Sequence, residues 1–129
     1  MKPHHERFGF TEKQWDVFKA EAREILIEIA RQRGMITYGD LAGRMTTIQV
    51  EPHDMVLWYI IGDVSRNEDA AKRGMLSVVV VHKYGDMEPG FGFYDLAKEL
   101  GRYVTNRTEC FVEELHKVHA VWSVNQSKE

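Results

Sequence analysis

The segment from Met75 to Lys83 constrains the fold most, because it reads Met-Leu-Ser-Val-Val-Val-Val-His-Lys. Consecutive valines restrict side-chain rotamers and favour an extended, pleated backbone. An uninterrupted apolar run, unlike an alternating one, is typical of a strand that is covered on both faces. Gly74 precedes the run, and a Tyr-Gly-Asp turn signal follows it. The sequence therefore predicts a buried central strand at 75–83, with helices packed against it.

Helix start signals and apolar spacing predict about five helices around this strand. The first long helix follows a capping box from Thr11 to Gln14 and ends at Gly34. Further helices are predicted at 38–45, 54–66 and 95–100. The last follows a second capping box at 106–109, and its apolar stripe comprises Phe111, Leu115, Val118 and Trp122.

The predicted elements form one α+β domain that covers residues 1–129. Two weaker strands are predicted, at 35–38 and 91–94. The order of the first seven elements follows that of a winged helix, with a small sheet centred on strand 75–83 and a wing at 83–92. We therefore predict a winged-helix-like part at 11–94 and a C-terminal helical extension at 95–129.

Composition excludes several classes of protein. The net charge of −3 is not that of a typical basic nucleic-acid-binding module. Cys110 is the only cysteine, so an intramolecular disulfide is impossible, as expected of a cytoplasmic protein. No apolar run approaches the roughly 18 residues of a membrane span, and residues 1–10 do not resemble a secretory signal. No metal or cofactor motif is present, so we predict neither.

A short segment, Thr37-Tyr38-Gly39-Asp40-Leu41-Ala42, resembles a known family. It is similar to the opening of the helix-turn-helix in the winged-helix domain of alkyltransferase-like DNA-repair proteins. The resemblance extends loosely over 35–92 and implies a winged-helix scaffold that binds DNA. The family's Pro-Cys-His-Arg run is absent, since its place holds the valine run, and Cys110 lies in the last predicted helix. The resemblance therefore does not imply alkyl transfer.

A second resemblance covers the valine run, Pro89 to Phe93, and Leu96 to Gly101. These stretches together are similar to a small bacterial family, and the likeness implies no particular activity.

Duplex DNA is the first predicted partner. Phosphate contacts from Arg and Lys supply most non-specific affinity for DNA. Between residues 31 and 83, seven cations meet six carboxylates, a local balance of only +1. A basic face would require the fold to bring together Arg44, Arg66, Lys72, Arg73 and Lys83.

Two alternatives remain open. Trp58 and Tyr59 on the third predicted helix suit an interface with a second copy or another protein, because aromatic side chains are enriched in such surfaces. A small enzyme would instead use His82 and the loop 88–93, whose Gly90 and Gly92 precede a helix and could hold an anion. Because no partner nucleophile is evident, the sequence favours non-enzymatic binding.

Overall fold

The protein is a helix-rich α+β structure with one small parallel sheet. We describe residues 3–83 and 89–127 of a computed structural model, without the side chains of Phe91 and of 124–127. The elements in order are α1 (His4–Arg7), α2 (Glu12–Arg31), β1 (Ile36–Thr37), α3 (Tyr38–Arg44), α4 (Met55–Ala70), a 3₁₀ helix (Leu76–Val79), β2 (Val80–Val81), α5 (Phe91–Glu99) and α6 (Arg107–Ser127).

The valine run is as buried as predicted, but most of it is not a strand. Leu76–Val79 forms the 3₁₀ helix, and only Val80–Val81 pairs, in parallel, with Ile36–Thr37. The prediction of a strand across 75–83 is therefore right only at Val80–Val81 and wrong for the rest of the segment. The physical reason is that β1 offers only two residues for pairing, so the rest of the segment satisfies its backbone groups in other ways.

The predicted return strand at 91–94 is also wrong, because these residues open α5. Phe93, Leu96 and Ala97 recur at helical spacing and are buried. Tertiary contact of this stripe with α4 overrides the strand preference of the aromatic residues. The predicted wing at 83–92 includes 84–88, which lie outside the described residues.

The remaining helices confirm the capping and stripe predictions. The Thr11 capping box begins α2, and the Thr37 hydroxyl accepts the Asp40 N–H at the start of α3. Three members of the predicted α6 stripe are buried, namely Phe111, Val118 and Trp122. Helix α4 runs to Ala70, past the predicted end at 66. In the described residues, no helix is long and apolar enough to cross a membrane.

Two buried carboxylates, Glu68 and Glu114, form hydrogen bonds near the end of α4 and just before the 3₁₀ helix. Glu68 receives hydrogen bonds from Arg23 and Arg73. Burial alone would raise the pKa of Glu68, but these two guanidinium groups lower it below its usual value. Glu114 accepts the Met75 N–H at 2.8 Å and two further hydrogen bonds from Arg102. Both carboxylates are thus satisfied, as buried charges must be.

The loop after α3 is held by one carboxylate of α2. Glu21 accepts hydrogen bonds from the backbone N–H and the hydroxyl of both Thr46 and Thr47. Partial burial by itself would raise the pKa of Glu21, but the four donors outweigh it and lower the pKa to about 2.

Replacing Glu21 should make the protein less dependent on pH in acid. A folded-state pKa below the unfolded value stabilises the fold above the unfolded pKa, and this contribution disappears as pH falls towards about 2. We expect E21Q to lower the free energy of unfolding by about 1–2 kcal/mol near neutral pH, with the difference from wild type shrinking between about pH 4.5 and pH 2. Urea unfolding at several pH values measures this.

The matched control is E24Q, since Glu24 is an exposed residue of the same helix. If E21Q and E24Q show the same pH profile, the Thr46–Thr47 contacts do not stabilise the fold.

Candidate binding cleft

A cleft of about 960 Å³ opens where α3, α4 and α5 begin and β2 ends. Its volume lies within the range of small-molecule sites, roughly 300–1,000 Å³. Residues from four separated stretches line it: Thr37, Tyr38, Gly39, Asp40, Pro52, His53, Asp54, Met55, Trp58, His82, Lys83, Gly90, Gly92 and Asp95. Two further cavities, beside the start of α6 and after α3, have volumes of about 610 and 490 Å³.

The short parallel sheet brings two of these stretches together. Because Thr37 pairs with Val81, the residues that follow each of them, Tyr38 and His82, lie side by side. Their ring centroids are 5.1 Å apart. Burial raises the pKa of Tyr38, and a hydrogen bond from the Gly90 backbone opposes part of this rise. The phenol therefore stays neutral at the base of the cleft.

Gly92 gives α5 its close approach to α4. A Cβ atom built on Gly92 would overlap Nε1 of Trp58, so no other residue fits without moving the indole. Gly90 is similar, since its Cβ would lie 2.8 Å from Nε2 of His82. The sequence-based hypothesis of an anion-binding loop named both glycines. In the structure they pack against aromatic rings in the cleft wall.

Apolar side chains remain exposed in this concave wall. Met55 has an exposed fraction of 58%, and the Trp58 side chain is half-buried. A large apolar residue exposed in a cavity, rather than on a convex surface, is typical of a ligand site.

Carboxylates outnumber cations around the opening. Asp40 and Asp95 are exposed, and within the described residues neither carboxylate has a hydrogen-bond or ion-pair partner. Asp54 accepts the Glu51 N–H at 2.8 Å. Lys83 is the single lysine in the described lining, which contains no arginine.

Two of the predicted DNA-contacting cations are already paired. Arg66 donates to both carboxylate oxygens of Glu99 and to Asp63. Arg73 donates twice to the buried Glu68. Arg44 and Lys72 are exposed, and Lys83 stands at the rim of the cleft. The five residues are therefore not alike: Arg66 and Arg73 bind carboxylates of the fold, and the other three are exposed, although Lys83 also has an interaction within the chain.

The two aromatic residues predicted as an interface have different surroundings. Trp58 lines the cleft. Tyr59 lies under the N-terminal segment, where its ring contacts those of His4 and Phe8 and its hydroxyl accepts a hydrogen bond from Arg7. Tyr59 is thus engaged within the chain.

Two histidines, His82 and His119, also have different surroundings. His82 lies in the cleft, but the described residues place no carboxylate within hydrogen-bond distance of it. His119 is buried, and its Nε2 lies 3.0 Å from the Gly34 carbonyl oxygen. Among the described residues, no group of three or more His, Cys, Asp or Glu side chains is arranged to hold a metal.

Sequence reasoning missed the acidic and apolar lining residues Asp40, Asp95 and Met55. The one local signal was that Asp40 and Met55 each lie in the first turn of a helix. Comparison of the chain with protein-family models, curated proteins and solved structures found no match.

A methyl group at Gly92 should disturb the cleft. Since its Cβ would overlap the Trp58 indole, we expect G92A to lower the free energy of unfolding by about 1–3 kcal/mol and to change Trp58 fluorescence. Chemical denaturation followed by fluorescence measures both.

G43A is the matched control, because a Cβ atom at this helical glycine meets nothing within 4 Å. It should be neutral or stabilising by up to about 1 kcal/mol. Equal behaviour of the two variants would contradict the packing of Gly92 on Trp58.

Proposed function

We propose that the protein binds a small organic molecule with an aromatic or apolar ring in the cleft between α3, α4 and α5. The observation that carries the proposal is the exposure of Met55 and Trp58 inside a cavity of about 960 Å³. Burying such surfaces against a ligand is favourable, at roughly 25 cal/mol per Å² of apolar area removed from water. Aromatic faces add specific ring-to-ring contacts.

The geometry favours binding over catalysis at this site. A general base is usually held in place by a second group that fixes its ring and tautomer. The His82 ring lies beside the Tyr38 ring and close to Gly90, and the described residues place no carboxylate within hydrogen-bond distance of it. Its chemistry here suits a hydrogen bond to a ligand.

Nuclear magnetic resonance of ¹⁵N-labelled protein tests the proposal, with tryptophol as a neutral ring probe. The chain has three tryptophans, hence three indole N–H signals. Trp15 and Trp122 are buried at 3% and 8% exposure and serve as internal controls. We expect tryptophol to shift the Trp58 indole signal and the amide signals of Gly39 and Gly92, and to leave the other two indole signals in place.

The variant M55S should weaken this binding several-fold, because it removes an apolar side chain from the cleft wall and leaves the buried core unchanged. V17S is its control, since Val17 is an exposed apolar residue of α2 outside the cleft. Shifts centred on Trp122 would show that the ring binds outside the cleft. If neither tryptophol nor its charged indole analogues shift the Trp58 signal at millimolar concentration, the cleft is not a binding site for such rings.

Duplex DNA is the second candidate, in keeping with a winged-helix-like scaffold. One observation favours it: the segment from Thr37 to Ala42, which resembles the opening of the alkyltransferase-like helix-turn-helix, begins α3 with Thr37 as its N-cap, and α4 follows. Contacts would come from the surface cations Arg44, Lys72 and Lys83. Arg66 and Arg73 would first have to leave their carboxylate partners.

Salt-dependent mobility shifts test this candidate. If DNA binds, the variant R44Q/K72Q/K83Q should reduce affinity and lower the salt slope by roughly one unit per lost phosphate contact. K13Q/K98Q/K117Q removes the same number of exposed positive charges elsewhere and should have a smaller effect. No binding to a generic duplex at low salt would exclude non-specific DNA recognition.

A further inference from the structure

We propose that the ligand of the cleft is an organic cation: a ring or alkyl body that carries a single ammonium group. This inference rests on the proposed function and names the class of ligand. The body would lie against Met55 and Trp58, and the ammonium group would lie between the carboxylates of Asp40 and Asp95.

The charges of the lining carry the argument. Three carboxylates face one lysine among the described lining residues. Asp40 and Asp95 come from different helices, α3 and α5, yet border the same opening and have no partner in the described part of the chain. An ammonium group can donate three hydrogen bonds, so a single group has enough donors for two carboxylates.

Helix stabilisation explains only some of these carboxylates. An acidic residue in the first turn of a helix interacts favourably with the helix dipole, which accounts for Asp40. Asp54 precedes α4 and also bonds to the Glu51 backbone. Asp95 is the fifth residue of α5, beyond the first turn, so the dipole gives it no comparable role. The position of Asp95 at the cleft, which helix stabilisation does not explain, is therefore the strongest indication of a cationic ligand.

The same carboxylates disfavour an anion. The helix starts at the cleft present N–H groups that on their own would attract a phosphate or carboxylate. An anionic group in the cleft would share it with Asp40, Asp54 and Asp95, and like charges repel. A cation is attracted to the same three groups, and also to the electron-rich face of an indole such as Trp58.

Three compounds that share one indole ring and differ in charge test the proposal. Tryptamine carries an ammonium group, tryptophol is neutral and indole-3-propionate is an anion. We expect the wild-type protein to bind tryptamine at least about tenfold more tightly than tryptophol, and indole-3-propionate most weakly. Titration calorimetry gives each Kd, and the Trp58 indole signal locates the binding site.

Paired variants separate local attraction from overall charge. D40N/D95N should weaken tryptamine binding about tenfold and tryptophol binding much less, so that the preference for the cation is lost. E12Q/E24Q removes two exposed carboxylates from α2, so it changes net charge equally and should leave the preference intact. Thermal unfolding of each variant shows that it is folded, and about 0.5 M salt should reduce the preference for tryptamine in the wild type.

The outcomes distinguish the two proposals. If tryptophol binds at Trp58 as tightly as tryptamine, or if indole-3-propionate binds most tightly, the cleft is a binding site and the cation proposal is wrong. If D40N/D95N and E12Q/E24Q lose the preference equally, the attraction is not local and the proposal is also wrong. If none of the three compounds reaches Trp58, the proposed function itself fails.

Discussion

The fold depends on hydrogen bonds to the backbone of a buried segment, residues 75–81, of which only two residues belong to the sheet. Residues 75–81 are all buried, but only Val80 and Val81 lie beside another strand. Other backbone N–H groups find partners singly: Glu114 of α6 accepts that of Met75, and Ser65 of α4 accepts that of Ser77. An unpaired buried N–H is costly. These hydrogen bonds therefore fix the positions of α4 and α6 beside the segment.

Sequence reasoning succeeded where the signal is local. The caps at Thr11 and Thr37 depend on side chains within one helical turn, so they could be predicted. It failed at 76–79, because a valine run becomes a strand only if a long enough neighbour exists to pair with it. The ion pair of Arg66 with Glu99 joins residues far apart in the chain. Such a pairing has no local sequence signal. The sequence therefore could not show which cations are paired within the fold and which are exposed.

The cleft was foreseen only in fragments, for a similar reason. The sequence suggested three separate roles for its residues: an interface at Trp58, a general base at His82, and an anion-binding loop at Gly90 and Gly92. The parallel pairing of β1 with β2 and the approach of α5 to α4 gather them into one wall. Glycine spacing alone does not say whether a ligand or an indole fills the space that the missing side chain leaves. Here an indole fills it at Gly92.

The buried serine pair sets the rotation of α4 about its own axis. The Ser65 hydroxyl donates to Oγ of Ser77 at 2.7 Å and accepts the Ser77 N–H at 2.8 Å, and Ser65 is fully buried. Both bonds require this one side of α4 to face the 3₁₀ helix. Trp58 lies seven positions earlier, which is about two turns, and hence on nearly the same side of the helix. Two small hydroxyl groups in the core thus help to orient a half-buried indole ring that lines the cleft.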